Sequence, residues 1–176
     1  FGGMPARVRT VVTVHDLSFI RHPECFGLFK RQYYRAAIGR GARLAHLVIA
    51  DSMSARSDLV ELAGVSQDRI AVIPLGVDAE LRPVRDERML QCVRKKYSLP
   101  DRFILYLGTI EPRKNIVRII ESFAIVRERI PHDLVIAGRK GWKYQEIFRA
   151  VNRLGVGSRV RFSGRISEQD VAALYS

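Results

Sequence analysis

The chain is poor in cysteine and has no long apolar run, and each shortage limits what it can be. Its 176 residues include two cysteines, Cys25 and Cys92, which lie in different segments. Two distant cysteines predict reduced thiols rather than a disulfide framework or a metal site. No apolar stretch approaches the roughly 20 residues of a membrane-spanning helix. Because the mean hydropathy is −0.04, the sequence predicts a soluble globular protein in the cytoplasm.

Acidic residues are scarce compared with basic ones. The chain has 30 Lys and Arg against 18 Asp and Glu, which gives a net charge of +12 and an isoelectric point near 10.4. Most of the excess follows Asp78, where 20 basic residues face 11 acidic ones. This charge predicts a phosphate-bearing partner, but it leaves nucleotide, nucleic acid and anionic lipid open.

Segment 103–115, FILYLGTIEPRKN, is the most informative part of the sequence. Its five apolar residues are typical of a strand buried on both faces in a parallel sheet. Gly108 ends this strand, and apolar residues recur at helical spacing from Ile116 onward. Arg113 and Lys114 therefore lie in a strand-to-helix loop, where α/β sheets bind ligands and free backbone N–H groups favour anions. From the spacing alone, an ordinary surface Arg-Lys pair is an equal alternative.

Patterns of buried strands alternate with helical patterns along the chain. We expect strands at 8–15, 46–50, 70–74, 103–108, 133–138 and 159–163. We expect helices at 26–43, 52–63, 85–97, 115–130 and 143–153, and the start of another at Ser167. This alternation predicts an α/β protein with parallel sheets.

The alternation is interrupted once, and the interruption divides the chain. Residues 79–101 have mixed charge and few apolar anchors, so we interpret them as an interdomain connector carrying one helix. Residues 1–78 are then the last part of one Rossmann-like, doubly wound domain, and residues 102–176 are the first part of a second. Both domains would be incomplete. A cleft between them is the expected ligand site.

Six segments together resemble one enzyme family. In order they are VHDLSF (14–19), ADSMSARSDL (50–59), IPLGVD (73–78), LGTIEPRKN (107–115), LVIAGRKGW (134–142) and VRFSGRISEQDVAALY (160–175). The order and spacing resemble retaining glycosyltransferases of the GT-B fold, in the family called glycosyl transferases group 1, or family 4. The similarity covers nearly the whole chain, which makes it far more specific than any single motif.

The resemblance implies that a hexose, such as mannose or glucose, passes with retention from a nucleotide diphosphate sugar to a saccharide or lipid-linked acceptor. The donor would be held mainly by the C-terminal domain and the acceptor mainly by the N-terminal domain. The lysine that reaches the donor diphosphate maps onto Lys114, assisted by Arg113, next to Gly108 and Thr109. Many relatives carry an arginine where this chain has Thr109. A fixed cation beside the leaving diphosphate lowers the barrier to transfer.

The resemblance also marks residues after other strands. Gly138 lets backbone approach the ligand closely, and the backbone at Arg165 and Ile166 faces the nucleotide base. His15 corresponds to an active-site histidine near the transferred sugar, where it would orient the donor sugar or the acceptor, with Asp16 beside it as a second catalytic candidate. As a pattern alone, a His-Asp pair at a strand end is more often structural.

No metal or cofactor is expected. The sequence has no Asp-x-Asp pair, so side-chain cations and helix N-termini would stabilise the leaving group. Ser52, at another strand end, is expected to cap helix 52–63.

The chain begins at Phe1 rather than at methionine and ends at Ser176, just as a helical pattern starts. Relatives carry two glutamates, separated by seven residues, that hold the donor sugar and ribose, and no such pair occurs here. We therefore expect a fragment that is inactive by itself.

The predicted helix 26–43 combines an apolar side with arginines that lie largely opposite. The apolar side comprises Phe26, Phe29, Tyr33, Ala36, Ala37 and Leu44, and the arginines are Arg31, Arg35 and Arg43. We expect the apolar side to pack on the sheet. Peripheral contact with a membrane is the alternative.

Two other function classes remain open at this stage. A basic nucleic-acid-binding module fits the charge, but no nucleic-acid motif is present, so no nucleic-acid partner is expected. A relative that uses a sugar phosphate, or that has lost catalysis, fits the same motifs.

Overall fold

The computed structural model describes residues 8–176 and divides into two compact units. Unit 1 ends at Val77, and unit 2 is Asp78–Ser176. The connector predicted at 79–101 falls within unit 2, where its helix packs against the last helix of the chain. Among the described residues, no helix is both long and apolar enough to cross a membrane.

Unit 1 is built on a three-stranded parallel sheet with strand order β1-β2-β3. Its elements are β1 (Val11–Val14), α1 (Ser18–Arg21), α2 (Leu28–Leu44), β2 (Leu47–Ala50), α3 (Met53–Ala63) and β3 (Ile70–Val72), with 3-10 turns at Pro23–Cys25 and Gln67–Arg69. Its core includes Leu17, Val48 and Leu59, all fully buried. The three strands predicted here are confirmed, each shorter at its ends than expected.

Helix α3 begins and ends as the sequence predicts. The Oγ of Ser52 accepts a hydrogen bond from the N–H of Ala55 at 3.1 Å, which is the geometry of an N-cap. Gly64 follows the helix with φ +66°, a left-handed conformation that favours glycine.

Helix α2 contradicts the predicted packing. Phe29 is 94% exposed and Tyr33 is 68% exposed, whereas Tyr34 and Ile38 contact the core. The buried face is thus displaced by about one residue, which turns a helix by about 100°. Small residues on that face, Gly39, Gly41 and Ala42, are buried and let the helix lie close to its neighbours. The predicted apolar side is therefore largely a surface of the described chain.

Unit 2 repeats the architecture with strand order β4-β5-β6, again parallel. Its elements are α4 (Glu87–Lys96), β4 (Phe103–Leu107), α5 (Ile116–Val126), β5 (Asp133–Ala137), α6 (Gln145–Arg153), β6 (Val160–Gly164) and α7 (Val171–Tyr175), with 3-10 turns at Pro112–Lys114, Arg127–Arg129, Gly157–Arg159 and Glu168–Asp170. Residues 134–137 of the central strand are fully buried. This confirms the α/β class, with one parallel three-stranded sheet in each unit, and is consistent with two Rossmann-like parts.

Arg159 connects the segments around the start of β5 in unit 2. Arg159 donates hydrogen bonds to the carbonyls of Ile130 and His132 and also bonds the carbonyl of Arg127. Its Nε lies 3.3 Å from a carboxylate oxygen of Asp133. This guanidinium satisfies carbonyls around the start of β5 and is therefore structural.

Candidate functional site

The carboxyl ends of all three strands in unit 2 meet at glycines. The N–H of Gly108 donates to the carbonyl of Ala137 at 2.9 Å, and the N–H of Gly138 donates to the carbonyl of Gly164 at 2.7 Å. Three loops leave from these points, at 108–115, 138–144 and 164–170, and together we call them the unit 2 rim. This is the end of a parallel sheet at which α/β proteins place ligands.

Gly138 is the tightest point of the unit 2 rim. Its φ is +142°, and a Cβ placed there would lie 1.8 Å from the carbonyl oxygen of Gly108. Only glycine fits this conformation and this spacing. The sequence predicted that the backbone at Gly138 approaches a ligand, which stays a prediction; the close approach that the structure shows is to the carbonyl of Gly108 at the neighbouring strand end.

Arg113 and Lys114 lie in a single 3-10 turn between β4 and α5, but their surroundings differ. The Nε of Arg113 lies 3.1 Å from the carboxylate of Glu111, which is buried. Lys114 is exposed, and within residues 8–176 its side chain has no hydrogen-bond or ionic partner. The charge of Arg113 is thus partly balanced by Glu111, whereas the ammonium of Lys114 is available to an anion.

Tyr106, in strand β4, holds the first loop of the unit 2 rim through a side-chain hydrogen bond. Its hydroxyl donates to the carbonyl of Thr109 at 3.2 Å. Burial, together with the nearby Glu111 carboxylate, raises the pKa of Tyr106 above its ordinary value. The tyrosine therefore stays a neutral donor, and it fixes the backbone next to Gly108 and Thr109.

The second loop adds cations that the sequence analysis did not select. Arg139 is exposed, and in the described part of the chain it forms no ion pair. Lys140 instead lies over the rings of Tyr144 and Phe148, at 5.3 and 5.2 Å from their centroids. Arg139 directly follows a strand-ending glycine, and that position is the signal that could have identified it.

Arg165 and Ile166 behave differently in the third loop. Ile166 is buried and packs with Ala137 and Leu174, so only its backbone is available to a ligand. Arg165 is exposed and lines an open cavity of about 700 Å³ with Lys96, Tyr97, Ser167, Glu168 and Gln169. A backbone contact at Ile166 with a flanking cation at Arg165 is compatible with the role that the resemblance implies.

A buried carboxylate fastens this third loop to α4. Oδ2 of Asp170 accepts hydrogen bonds from Lys96 at 2.6 Å, Ser167 at 2.5 Å and Tyr97 at 2.6 Å. These donors lower the pKa of Asp170 to about 2, with Lys96 the largest contributor. Ser167 thus bonds the Asp170 side chain and makes no side-chain cap to the backbone, so Ser167 and Asp170 form a link to α4.

In unit 1, His15 and Asp51 follow the ends of neighbouring strands. Val14 pairs with Ala50 in the sheet register, so the next residues lie side by side. The Nδ1 of His15 lies 2.6 Å from Oδ2 of Asp51. Asp16 turns elsewhere and accepts bonds from the N–H and hydroxyl of Ser18. Asp51 was not predicted as a site residue, although two polar residues after adjacent parallel strands would have indicated the pair.

Comparisons with known proteins assign the family. Residues 2–81 match the model described as Glycosyltransferase Family 4, and residues 93–176 match Glycosyl transferases group 1. An Escherichia coli protein named O-antigen chain mannosyltransferase B is 26% identical over 98% of this chain and 46% of its own length. The Escherichia coli serotype-specific mannosyltransferase WbdA is 30% identical over 96% of this chain and 21% of its own.

The fold comparison agrees with the sequence comparison. The crystal structure of Anabaena HepE in complex with UDP-glucose matches with a TM-score of 0.69 and 25% identity, over 96% of this chain and 44% of that one. The chain therefore spans less than half the length of each of these three relatives. Since the two family models match in order along the chain, it belongs to the glycosyl transferases group 1, with the GT-B fold.

Proposed function

We propose that the protein containing this chain transfers a hexose from a nucleotide diphosphate sugar to a saccharide or lipid-linked acceptor, with retention at the anomeric carbon. The observation that carries the proposal is the unpartnered ammonium of Lys114 in the described unit, at the carboxyl end of a buried parallel sheet. The names of the two Escherichia coli relatives support mannose, and the UDP-glucose complex of HepE supports a nucleotide sugar with glucose as the alternative. Polysaccharide assembly is the biological setting that fits these names.

The chemistry of the leaving group supports this assignment. Breaking the sugar–phosphate bond leaves a nucleoside diphosphate whose negative charge increases in the transition state, and a fixed cation stabilises it. Lys114 would contact the diphosphate directly, while Arg113, paired with Glu111, would add a weaker field from the same turn. In this proposal side-chain cations alone stabilise the negative charge of the leaving nucleoside diphosphate, and no metal ion or other cofactor takes part.

The remaining candidates have separate tasks. The glycines of the unit 2 rim would let the backbone approach the nucleotide, with Gly108 and Thr109 beside the diphosphate and Ile166 beside the base. Arg165 would flank the base-binding loop. In unit 1, His15 would contact a sugar, and Asp16 would hold the backbone of the following turn through Ser18.

Calorimetry with nucleoside diphosphates tests the role of Lys114. We expect Lys114→Ala to weaken UDP or GDP binding at least about tenfold, because a direct charge-assisted contact is lost. Lys95→Ala is the matched control, since Lys95 is also an exposed lysine of unit 2 but lies on α4 outside the unit 2 rim. Equal affinity of Lys114→Ala and the control would contradict the assignment.

The same titrations discriminate between the other classes. Salt-sensitive binding to generic oligonucleotides, tighter than to any nucleoside diphosphate, would favour a nucleic-acid-binding module. Binding of nucleoside diphosphate without sugar transfer in the complete protein would indicate a catalytically lapsed relative. Transfer from a sugar phosphate alone would indicate a relative that uses a sugar phosphate as its donor.

Helix α2 supports a finer proposal about location, namely contact with the inner face of a membrane from the cytoplasm. Leu28, Phe29 and Tyr33 form an apolar surface on the described chain, and basic residues interrupt it on the same helix. An apolar surface with flanking arginine and lysine is typical of peripheral binding to anionic lipid. The protein would then contact a lipid-linked acceptor at the membrane surface, where the lipid anchors it.

Vesicle cosedimentation tests this contact. With vesicles rich in phosphatidylglycerol, we expect Phe29→Ser combined with Tyr33→Ser to reduce the bound fraction several-fold. Ile125→Ser is the control, because Ile125 is 74% exposed but lies in unit 2. Equal binding of the double variant and the control would reject the α2 contact.

A further inference from the structure

At the carboxyl end of the unit 1 sheet, the side chains of His15 and Asp51 form a hydrogen-bonded pair. His15 follows β1 and Asp51 follows β2, and they approach to 2.6 Å between Nδ1 and Oδ2. They are 36 residues apart in sequence, and the strand register brings them together. The pair is thus a product of the fold rather than of a local turn.

The two members differ strongly in exposure. The side chain of His15 is 67% exposed, whereas that of Asp51 is 14% exposed. The carboxylate is therefore held in place by the protein, while the imidazole reaches outward from it. Within residues 8–176, Nε2 of His15 has no hydrogen-bond partner. One ring nitrogen is fixed and the other is presented to a ligand.

A carboxylate determines which nitrogen of a neutral histidine carries the proton. Because an ionised carboxylate only accepts hydrogen bonds, Nδ1 must carry the hydrogen in the contact with Asp51. Nε2 is then left with a lone pair, and it can accept a hydrogen bond from a hydroxyl group. Free neutral histidine prefers the opposite tautomer, with hydrogen on Nε2, so the pairing reverses the ordinary chemistry of the exposed nitrogen.

Asp16 cannot supply the same control in this structure. Its Oδ1 accepts a hydrogen bond from the N–H of Ser18 at 2.9 Å and a second from the Ser18 hydroxyl. Asp16, which is adjacent to His15 in sequence, thus stabilises the turn into α1. Asp51, which is distant in sequence, bonds the imidazole of His15.

We infer that Asp51 is the positioning residue for His15, holding it in the Nδ1–H tautomer so that Nε2 accepts a hydrogen bond from a sugar hydroxyl. This inference rests on the proposed function for the identity of the ligand as a saccharide. Asp51 itself touches no substrate. Asp51 orients the imidazole ring and makes Nε2 a hydrogen-bond acceptor. A sugar hydroxyl can then donate its hydrogen to Nε2.

The tautomer can be measured directly on ¹⁵N-labelled protein by long-range ¹H–¹⁵N correlation at about pH 8.5, where an ordinary histidine is neutral. We expect the His15 signals to show a protonated Nδ1 and an unprotonated Nε2. In Asp51→Ala the Nε2–H form should predominate, and in Asp51→Glu the carboxylate should restore the Nδ1–H form. A protonated Nε2 in the unaltered protein would overturn the inference without any variant.

Asp58→Ala is the matched control. Asp58 is 13% exposed and pairs with Arg21 at 2.6 Å in the same unit, so it has the burial and the pairing distance of Asp51. We expect this variant to leave the His15 tautomer unchanged. A tautomer change as large as that in Asp51→Ala would mean that general loosening of unit 1 is responsible, and the inference would fail.

Kinetics of the complete protein provide the second readout. We expect Asp51→Ala to raise the KM about tenfold for whichever substrate carries the sugar that His15 contacts, with a smaller effect on the KM for the other substrate. In a His15→Ala background, Asp51→Ala should add nothing further, because it acts through the ring. An additional tenfold loss in that background would overturn the inference. If no variant or parent transfers sugar, the proposed function fails, whereas the tautomer measurement still decides the role of Asp51.

Discussion

Unit 1 and unit 2 share a three-stranded parallel sheet, but their carboxyl ends carry different chemistry. Unit 2 ends in glycines surrounded by cations, and Lys114 has no partner among the described residues. Unit 1 ends in a histidine held by a carboxylate. Because the backbone of the two sheets is alike, we expect the side chains directly after the strands to determine which ligand each unit would bind in the proposed function. Unit 2 suits an anion, and unit 1 suits a neutral hydroxyl.

The largest expected effect concerns the glycines that only unit 2 has at its strand ends. Gly138→Ala should destabilise unit 2 by at least about 3 kcal/mol, because the new methyl group collides with the Gly108 carbonyl and the φ of +142° is unfavourable. Trp142 is the single tryptophan and lies in unit 2, so its fluorescence in a urea titration reports this unit.

Gly155→Ala is the control for that substitution. Gly155 has φ +60°, but a methyl group added there would meet no atom within 4 Å, so its cost should be about 1 kcal/mol. If the two variants lose the same free energy of unfolding, the positive φ alone would explain the cost, and the collision with the Gly108 carbonyl would contribute nothing.

A smaller effect is expected where unit 2 fastens its third loop to α4. Asp170→Asn should lower the free energy of unfolding by about 2 kcal/mol at neutral pH, since it weakens three hydrogen bonds to a buried carboxylate. The native pKa of about 2 is below the ordinary 3.8, so this stabilisation is present above about pH 4 and is lost as the pH falls towards 2.

Urea titrations followed by Trp142 fluorescence at several acidic pH values measure this dependence. The variant should lose much of the acid sensitivity of the parent in that window. Asp101→Asn is the control, because Asp101 is fully exposed and lies 3.4 Å from Arg94. A parent whose unit 2 is equally stable at pH 5 and pH 2 would contradict the assignment.

Helix caps allow each unit to be weakened separately by a similar amount. Ser52→Ala removes the cap of α3 in unit 1, and Asp86→Ala removes the cap of α4 in unit 2. Each should cost about 1 kcal/mol. Circular dichroism follows both units, whereas Trp142 fluorescence should shift only for Asp86→Ala. A shift for both variants would show that the units unfold as one.

The smallest effect should appear in the salt dependence of ligand binding. Raising the salt concentration from about 0.05 M to about 0.5 M should weaken nucleoside diphosphate binding several-fold, because exposed charges are screened. Binding of an uncharged saccharide should change less than about twofold. Parallel calorimetric titrations measure both, and equal salt dependence would remove the chemical distinction between the units.

Much of the fold was predictable because a buried strand is visible as a local apolar run. The run that becomes β4 and the run that becomes β5 were placed within one residue of their observed ends. Helix α1 was missed, since its four residues are too few to show a period. The buried face of α2 was wrong by about one residue because small residues, Gly39 and Gly41, pack inward and carry no hydrophobic signal.

The candidate site was predictable in position but less so in its partners. Lys114 and Gly138 were located from the strand-to-helix pattern, which is local in sequence. The bond from His15 to Asp51 and the three bonds to Asp170 join segments distant in sequence or depend on side-chain direction. Such contacts are set by strand register and helix packing, which spacing along one chain does not reveal.

The complete burial of residues 134–137 in β5 has a consequence for motion. Their amide hydrogens should exchange with deuterium more slowly than those of any loop in the unit 2 rim, because solvent reaches them only after the sheet opens. If the unit 2 rim binds a nucleotide as proposed, its loops would rearrange on the microsecond timescale of loop motion while the strand beneath them persists for far longer. Loop motion during ligand binding and opening of the sheet would thus occur on separate timescales, although the two segments are only a few residues apart.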